Sequence, residues 1–203
     1  GLKGCVRTSA NRKVNEYWLR GKVESVTGAP TAILKTFKAP TADSCYNIVA
    51  AAKLPIGQTY RVTLRGERDG SYLNGVSTYD LVLISKHILG LEPFSTIYQA
   101  LAADANQSKS VTTFDIVEFR KLILGIYDTL PDAKSWRFVR PLADPGNYTM
   151  LDVAKDTFQI IVPAIPDDVT LPKLDFIALK MGDLNNSAIS SLQPDAEDRT
   201  ETP

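Results

Sequence analysis

The sequence predicts an α+β protein. An N-terminal β-sandwich is expected over residues 1–66, followed by a paired helical module of EF-hand type over 67–190 with a strand-containing insertion, and a polar tail over 191–203. Three observations predict this. The first third alternates apolar and polar residues between clusters of turn formers. A helix-length apolar segment then occurs twice, 35 residues apart. Ahead of its second copy runs "DANQSKSVTTFD", with side-chain oxygens at alternate places and a carboxylate at each end.

In chain order, "GCVRTS", "WLRGKVESV", "AILKTFKA" and "SCYNIV" are short strand candidates. "YRVTLR" sets Tyr60, Val62 and Leu64 against Arg61, Thr63 and Arg65, the period of a half-buried strand. "TGAPT" and "APTADS" between them are turn chemistry. Past residue 67 the texture changes. "VSTYDLVLISKHILG" aligns on "VTTFDIVEFRKLILG" with Val76 on Val111, and each copy closes on Gly, a favoured helix terminator. These repeats cover 69–90 and 104–125, and they are expected to pair because one unit alone cannot bury its apolar face. The insertion, 129–174, is Pro-rich and strand-like in "SWRFVRPL" and "TFQIIVPAI". "LDFIALKMGD" is a short apolar segment entering a polar loop, and 182–188 reads as a third half-loop. The last dozen residues are polar and poor in apolar side chains, the composition of a linker.

Lys plus Arg and Asp plus Glu both number 23, so no net charge draws the chain to nucleic acid or anionic lipid. No apolar run is long enough to insert into a membrane, and the absence of an initiating Met fits a piece of a longer precursor. Cys5 and Cys45 are the only cysteines. Two readings are open: one bridge, implying an oxidising compartment, or two buried free thiols.

The chemistry lies in the loops. Asp104, Asn106 and Ser108 take places one, three and five of a twelve-residue loop. Ser110 takes place seven through its carbonyl, Thr112 place nine and Asp115 place twelve. A hard cation such as Ca2+ needs six to eight oxygens supplied by alternate residues curling around it. Without imidazole or thiolate nearby, transition metals are disfavoured. Helix capping is the competing explanation, with Thr112 as N-cap and Asp115 at N3, and with Ser77 and Asp80 repeating the pair. Capping does not account for Asp104, Asn106 and Ser108. Lys109 stands at place six, where such loops carry Gly, and only two carboxylates bring charge, so affinity on the order of 10⁻⁵ to 10⁻³ M is expected.

The first copy differs. Counting back from Asp80 puts Asp69, Ser71 and Leu73 at places one, three and five, and Leu73 offers no side-chain ligand. "GDLNNS" supplies Asp183, Asn185 and Ser187 at the same three places with no helix after them. One expectation is that these halves meet, completing a second site with Ser77 and Asp80. The alternative is an empty helix cap and an ordinary turn.

At these residues the sequence resembles a dockerin. "DANQSKSVTTFDIVEFRKLILG" carries that family's calcium loop and Leu-Gly-closed helix, and "LNGVSTYDLVLISKHILG" matches in its second half. The run over roughly 67–190 is similar to the dockerin-like module near the C-termini of large secreted Bacteroidetes proteins, which often use the type IX route. "LPIGQTYRVTL" resembles one end of carboxypeptidase-regulatory-like or Cna-B-like sandwich domains. The resemblance implies Ca2+, a bacterial secreted or cell-surface setting, and a connector between neighbouring domains of one precursor. In dockerins, loop places ten and eleven with residues along the helix bind a cohesin. Here those are Thr78-Tyr79 and Thr113-Phe114, with Lys86, His87 and Lys121 beyond. An aromatic at place eleven departs from the family's Ser-Thr type pair, and burial of its ring against a neighbouring domain is an alternative to cohesin binding.

No catalytic constellation is present in the sequence. His87 is the one histidine, without a nucleophile or orienting carboxylate that spacing would place beside it, and it is expected at a surface or interface. Trp18 and Trp136 are expected as core or interdomain anchors. The expected function is a non-catalytic, calcium-stabilised connector. The alternatives are a module binding a cohesin-like partner or a second copy of itself, and an accessory region of a secreted hydrolase.

Overall fold

A computed structural model of the chain describes residues 2–26, 32–38, 44–48, 57–153, 158–162 and 173–190. The fold is α+β. Among the described residues, eight strands form two four-stranded sheets and four helices lie between strands β5 and β7. The expected tail and most of the two turns "TGAPT" and "APTADS" fall outside the described residues.

The N-terminal strands form where the alternation places them: β1 at Leu2–Arg7, β2 at Trp18–Ser25, β3 at Ala32–Lys38, β4 at Cys45–Ile48 and β5 at Tyr60–Glu67. In β5 Tyr60, Val62 and Leu64 are buried while Arg61 and Arg65 are exposed. Cys5 and Cys45 sit directly opposite in the antiparallel β1–β4 pair and are joined by a disulfide, so the bridge holds rather than the free thiols.

Later segments complete the sheets: β6 at Trp136–Val139, β7 at Phe158–Val162 and β8 at Phe176–Lys180. One sheet has the order β4-β1-β8-β6, with β8 parallel to β1, and the other is antiparallel throughout, in the order β3-β2-β5-β7. Strands from both sides of residue 66 therefore share each sheet. Leu19, Val23, Val62 and Leu64 of one sheet join Leu2, Val6, Phe138 and Phe176 of the other in a single core.

The β6–β8 end of its sheet is covered on both faces. Phe138, Phe176 and Ala178 enter the inter-sheet core, whereas Val139 and Leu179 pack outward on helix α2 (Ile97–Ala103) and the short α4 (Met150–Val153). Strands buried on both faces lose alternation and read as continuous apolar runs, as "DFIALK" does.

The repeated segments form α1 at Thr78–Ile88 and α3 at Thr113–Ile123. Each starts with a capping box, Ser77 with Asp80 and Thr112 with Asp115. Each ends on a left-handed Gly, Gly90 and Gly125, with Leu91 N–H donating to Lys86 O and Ile126 N–H to Lys121 O at 2.9 Å, a Schellman closure. Their inner faces, Ile84 against Phe119 and Leu122, share a second core with Ala105, Met181 and Leu184.

Candidate metal centre

Helix α2 delivers the first carboxylate, because Asp104 is its C-cap residue. Asp104 Oδ1 accepts the Ser108 N–H and Oδ2 the Lys109 N–H, both at 2.9 Å. Asn106 Oδ1 accepts the same Ser108 N–H at 3.0 Å. Ser108 Oγ donates to the Ser110 carbonyl at 3.2 Å. From the far end, Asp115 Oδ1 accepts the Ala105 N–H at 2.9 Å and Oδ2 the Thr112 N–H at 2.8 Å. Gln107 and Lys109 take φ values of 54° and 67°, so the curl is made without the Gly that place six usually carries. All six predicted residues of this loop are thus brought together.

Strand β8 delivers the second set. It ends at Lys180, and the Gly182 N–H donates to Ala102 O at 2.8 Å, fixing this exit beside the end of α2. Asp183 then repeats the role of Asp104: Oδ1 accepts the Ser187 N–H at 3.0 Å and Oδ2 the Ala188 N–H at 2.9 Å. Asn185 Oδ1 accepts the Ser187 N–H at 3.1 Å, and Ser187 Oγ donates to Gly75 O at 3.1 Å. Asp80 repeats Asp115, with Oδ1 accepting the Leu184 N–H at 2.8 Å and Oδ2 the Ser77 N–H at 2.9 Å. Ser77, Asp80, Asp183, Asn185 and Ser187 therefore converge from two segments about a hundred residues apart. The split loop reproduces the bonds of both aspartates to the facing N–H groups; the Asn106 N–H to Asp115, Ser108 Oγ to Ser110 Oγ and Phe114 N–H to Thr112 bonds of the continuous loop have no counterpart in it among the described residues.

The two differ at the splice. Lys109 and Ser110 are consecutive, whereas their counterparts Ala188 and Gly75 only touch. A Cβ on Gly75 would lie 2.6 Å from the Ala188 nitrogen, and Gly75 has φ +73°, so only Gly permits the join. Beside it Asn74 and Ile189 exchange two hydrogen bonds of 3.0 Å. Asp69 and Ser71, which linear counting puts at places one and three, take no part in the loop. Gly75 was not among the predicted ligands; the 35-residue offset from Ser110 is the signal that finds it.

Asp80 and Asp104 are 1 % exposed, Asp115 0 % and Asp183 8 %. Among the described residues no ion pair reaches any of them. Burial pushes the Asp104 carboxyl above its ordinary range against the Lys109 and Ser108 N–H groups, with Asp115 adding to the rise. Burial does the same to Asp183 against the N–H groups of Ala188 and Ser187, with Asp80 adding to it. Buried carboxylates without a paired cation are costly, and they take up either a proton or a cation. Lys180 is the nearby base, 4 % exposed, with Nζ donating to Tyr72 O at 2.8 Å and Met181 O at 3.1 Å. Burial lowers its pKa to about 8, opposed by Asp183 and Asp80.

Each loop offers oxygen only: two carboxylates, an amide, two hydroxyls and a carbonyl. That set suits a hard divalent cation and not a soft one. Among the described residues no group of three or more His, Cys, Asp or Glu gathers, so charge at each loop stops at two carboxylates. Asp104, Asp183 and Asp80 each accept three hydrogen bonds among the described residues, one fewer than a carboxylate's lone pairs. Asp115 accepts four, so it would reach a cation only as the Thr112 hydroxyl or the 3.4 Å Asn106 N–H yields.

His87 is half-buried, and its role is structural: Nδ1 accepts the Phe94 N–H at 3.0 Å and the ring stacks on Phe94 at 3.9 Å. The aromatics at loop place eleven stand open to solvent in this chain. Tyr79 is 57 % and Phe114 73 % exposed, and neither is buried against another part of the described chain. Trp136 is a core residue, with the Arg68 guanidinium 4.5 Å from its ring. No protein-family model, curated protein or solved structure matches the chain.

Proposed function

We propose that the chain is a non-catalytic connector of a secreted or cell-surface multidomain protein, a β-sandwich fused to a dockerin-like helix pair and stapled by two Ca2+ ions. The observation that carries this reading is the convergence of two loops of different connectivity on one oxygen frame. Capping α1 needs only Ser77 and Asp80. It does not require Asp183, Asn185 and Ser187 to copy Asp104, Asn106 and Ser108, whereas a shared ligand does. Asp104, Asn106, Ser108, the Ser110 carbonyl, Thr112 and Asp115 would hold one ion. Asp183, Asn185, Ser187, the Gly75 carbonyl, Ser77 and Asp80 would hold the other. The bound cation would supply direct counter-charge to four buried carboxylates that no ion pair reaches among the described residues. The disulfide supports an oxidising, extracellular setting.

Each ion held tenfold above its Kd adds about 1.4 kcal/mol to the native state, so two add about 3 kcal/mol. For a chain of this size that is roughly 5–10 °C in Tm. Melting in millimolar calcium and in chelator should differ by that amount, with magnesium restoring less. Superimposed melting curves would contradict the reading.

A second reading, a docking face for a cohesin-like protein or another copy, is favoured by one observation. Eight of the exposed apolar residues form repeat-related pairs: Tyr79 with Phe114, Val82 with Val117, Leu89 with Leu124 and Leu91 with Ile126. Cohesin-type domains retained on the immobilised chain, and lost on Tyr79→Ala with Phe114→Ala, would support it.

A further inference from the structure

We propose that residues 183–190 act as a latch that couples the split loop to the turn at 8–15, so that opening the split loop loosens that turn while opening the continuous loop leaves it in place. Within this short segment the contacts divide by residue. Asp183, Leu184, Ser187 and Ala188 bond within the split loop and to the start of α1. Asn186 and Ser190 bond in the other direction. Asn186, at φ 58°, accepts the Arg12 guanidinium on its carbonyl at 2.8 Å and the Ser9 hydroxyl on its Oδ1 at 3.0 Å. Ser190, 6 % exposed, donates its hydroxyl to Lys13 O at 2.8 Å and accepts the Asn15 N–H at 3.3 Å. The turn leads directly into the inter-sheet core, where Val14 and Tyr17 are fully buried.

The continuous loop lacks this connection. Gln107 occupies the place of Asn186 with the same left-handed backbone, φ 54°, but donates to Asp132 O at 2.8 Å. Loops that share most of their inner bonds thus reach different neighbours outside: one bonds to the segment between α3 and β6, the other to the turn that leads into the sheets. Closure of the split loop by an ion rests on the calcium reading; the mechanical coupling does not.

Amide hydrogen exchange on the full chain tests this, in calcium and in chelator, for wild type, Asp183→Asn and Asp104→Asn. Asp183→Asn, and chelator on wild type, should speed exchange at least tenfold both at 183–188 and at 8–15. Asp104→Asn should speed exchange at 104–112 alone. Opening of 183–188 with 8–15 unchanged would overturn the latch, as would equal loosening of 8–15 by Asp104→Asn. If chelator leaves wild type unchanged while Asp183→Asn loosens both segments, the calcium reading fails and the latch stands. If chelator opens both loops with 8–15 still protected, calcium stands and the latch fails. Should Asp183→Asn not fold, Arg12→Ala, outside the loop, should speed 8–15 and leave the calcium-dependent protection of 183–188; no change at 8–15 would overturn the coupling.

Discussion

Replacing Asp80 by Ala tests the split loop without reference to any ion. The Asp80 carboxylate takes three hydrogen bonds: from the Ser77 N–H, the Ser77 hydroxyl and the Leu184 N–H. The Leu184 N–H is buried, and orphaning a buried donor costs about 1–3 kcal/mol. Losing the carboxylate from the helix cap adds about 0.5–2 kcal/mol. Asp80→Ala should therefore cost about 2–4 kcal/mol, a large part of the roughly 5–15 kcal/mol that holds a domain folded. Asp80→Asn keeps one acceptor oxygen and should cost roughly half as much. The assay is urea unfolding in chelator, so that ion binding does not enter. Asp69→Ala is the control, an exposed carboxylate at loop place one by linear counting, and it should cost under about 0.5 kcal/mol. Equal midpoints for Asp80→Ala and Asp69→Ala would refute the convergence of the two segments.

Two further outcomes follow from the same geometry. Lys180 has its pKa lowered to about 8 by burial, so between that pH and its unfolded value the unfolded chain binds more protons than the native one, and the Lys180 contribution to stability rises with pH. Relative to Lys180→Met, wild type should gain on the order of 1–3 kcal/mol from pH 8 to 10.5, read from unfolding midpoints, and parallel profiles would count against a buried amine. Gly75→Ala places a methyl against the Ala188 nitrogen at positive φ and should cost about 1–3 kcal/mol, whereas Ser110→Ala at the equivalent unspliced position should cost under about 1 kcal/mol, both read by thermal unfolding.

Much of the local structure was legible because short-range chemistry fixes it. The alternation of "YRVTLR" and the cap-to-Gly frame of α1 and α3 lead directly to their elements. Helix α2, "IYQALAA", was missed: it has no acidic first turn or basic last turn, and it is held by apolar packing on Val139 and Leu179 rather than by its own signals. Strand β8 read only as an apolar segment because both of its faces are covered. Its pairing with β1 lay beyond reach, since parallel partners 170 residues apart leave no periodic trace in either strand.

The loops divide in the same way. The continuous loop could be counted from Asp104 to Asp115 along the chain. The meeting of "GDLNNS" with Ser77 and Asp80 could be posed, because half a motif without its helix invites a search for the other half. Gly75 could not be singled out, because its requirement arises from the approach of Ala188, a contact that exists only once β8 has been placed. The outward bonds of Asn186 and Ser190 likewise depend on how the sheets sit against the helices.

The central claim is that both loops hold calcium, and a calorimetric titration of calcium into the chelator-stripped chain tests it most directly. Two ions per chain are expected, with Kd on the order of 10⁻⁵ to 10⁻³ M, and Asp104→Asn and Asp183→Asn should each remove one. Absence of binding heat at millimolar calcium, or stoichiometry unchanged by both substitutions, would contradict it.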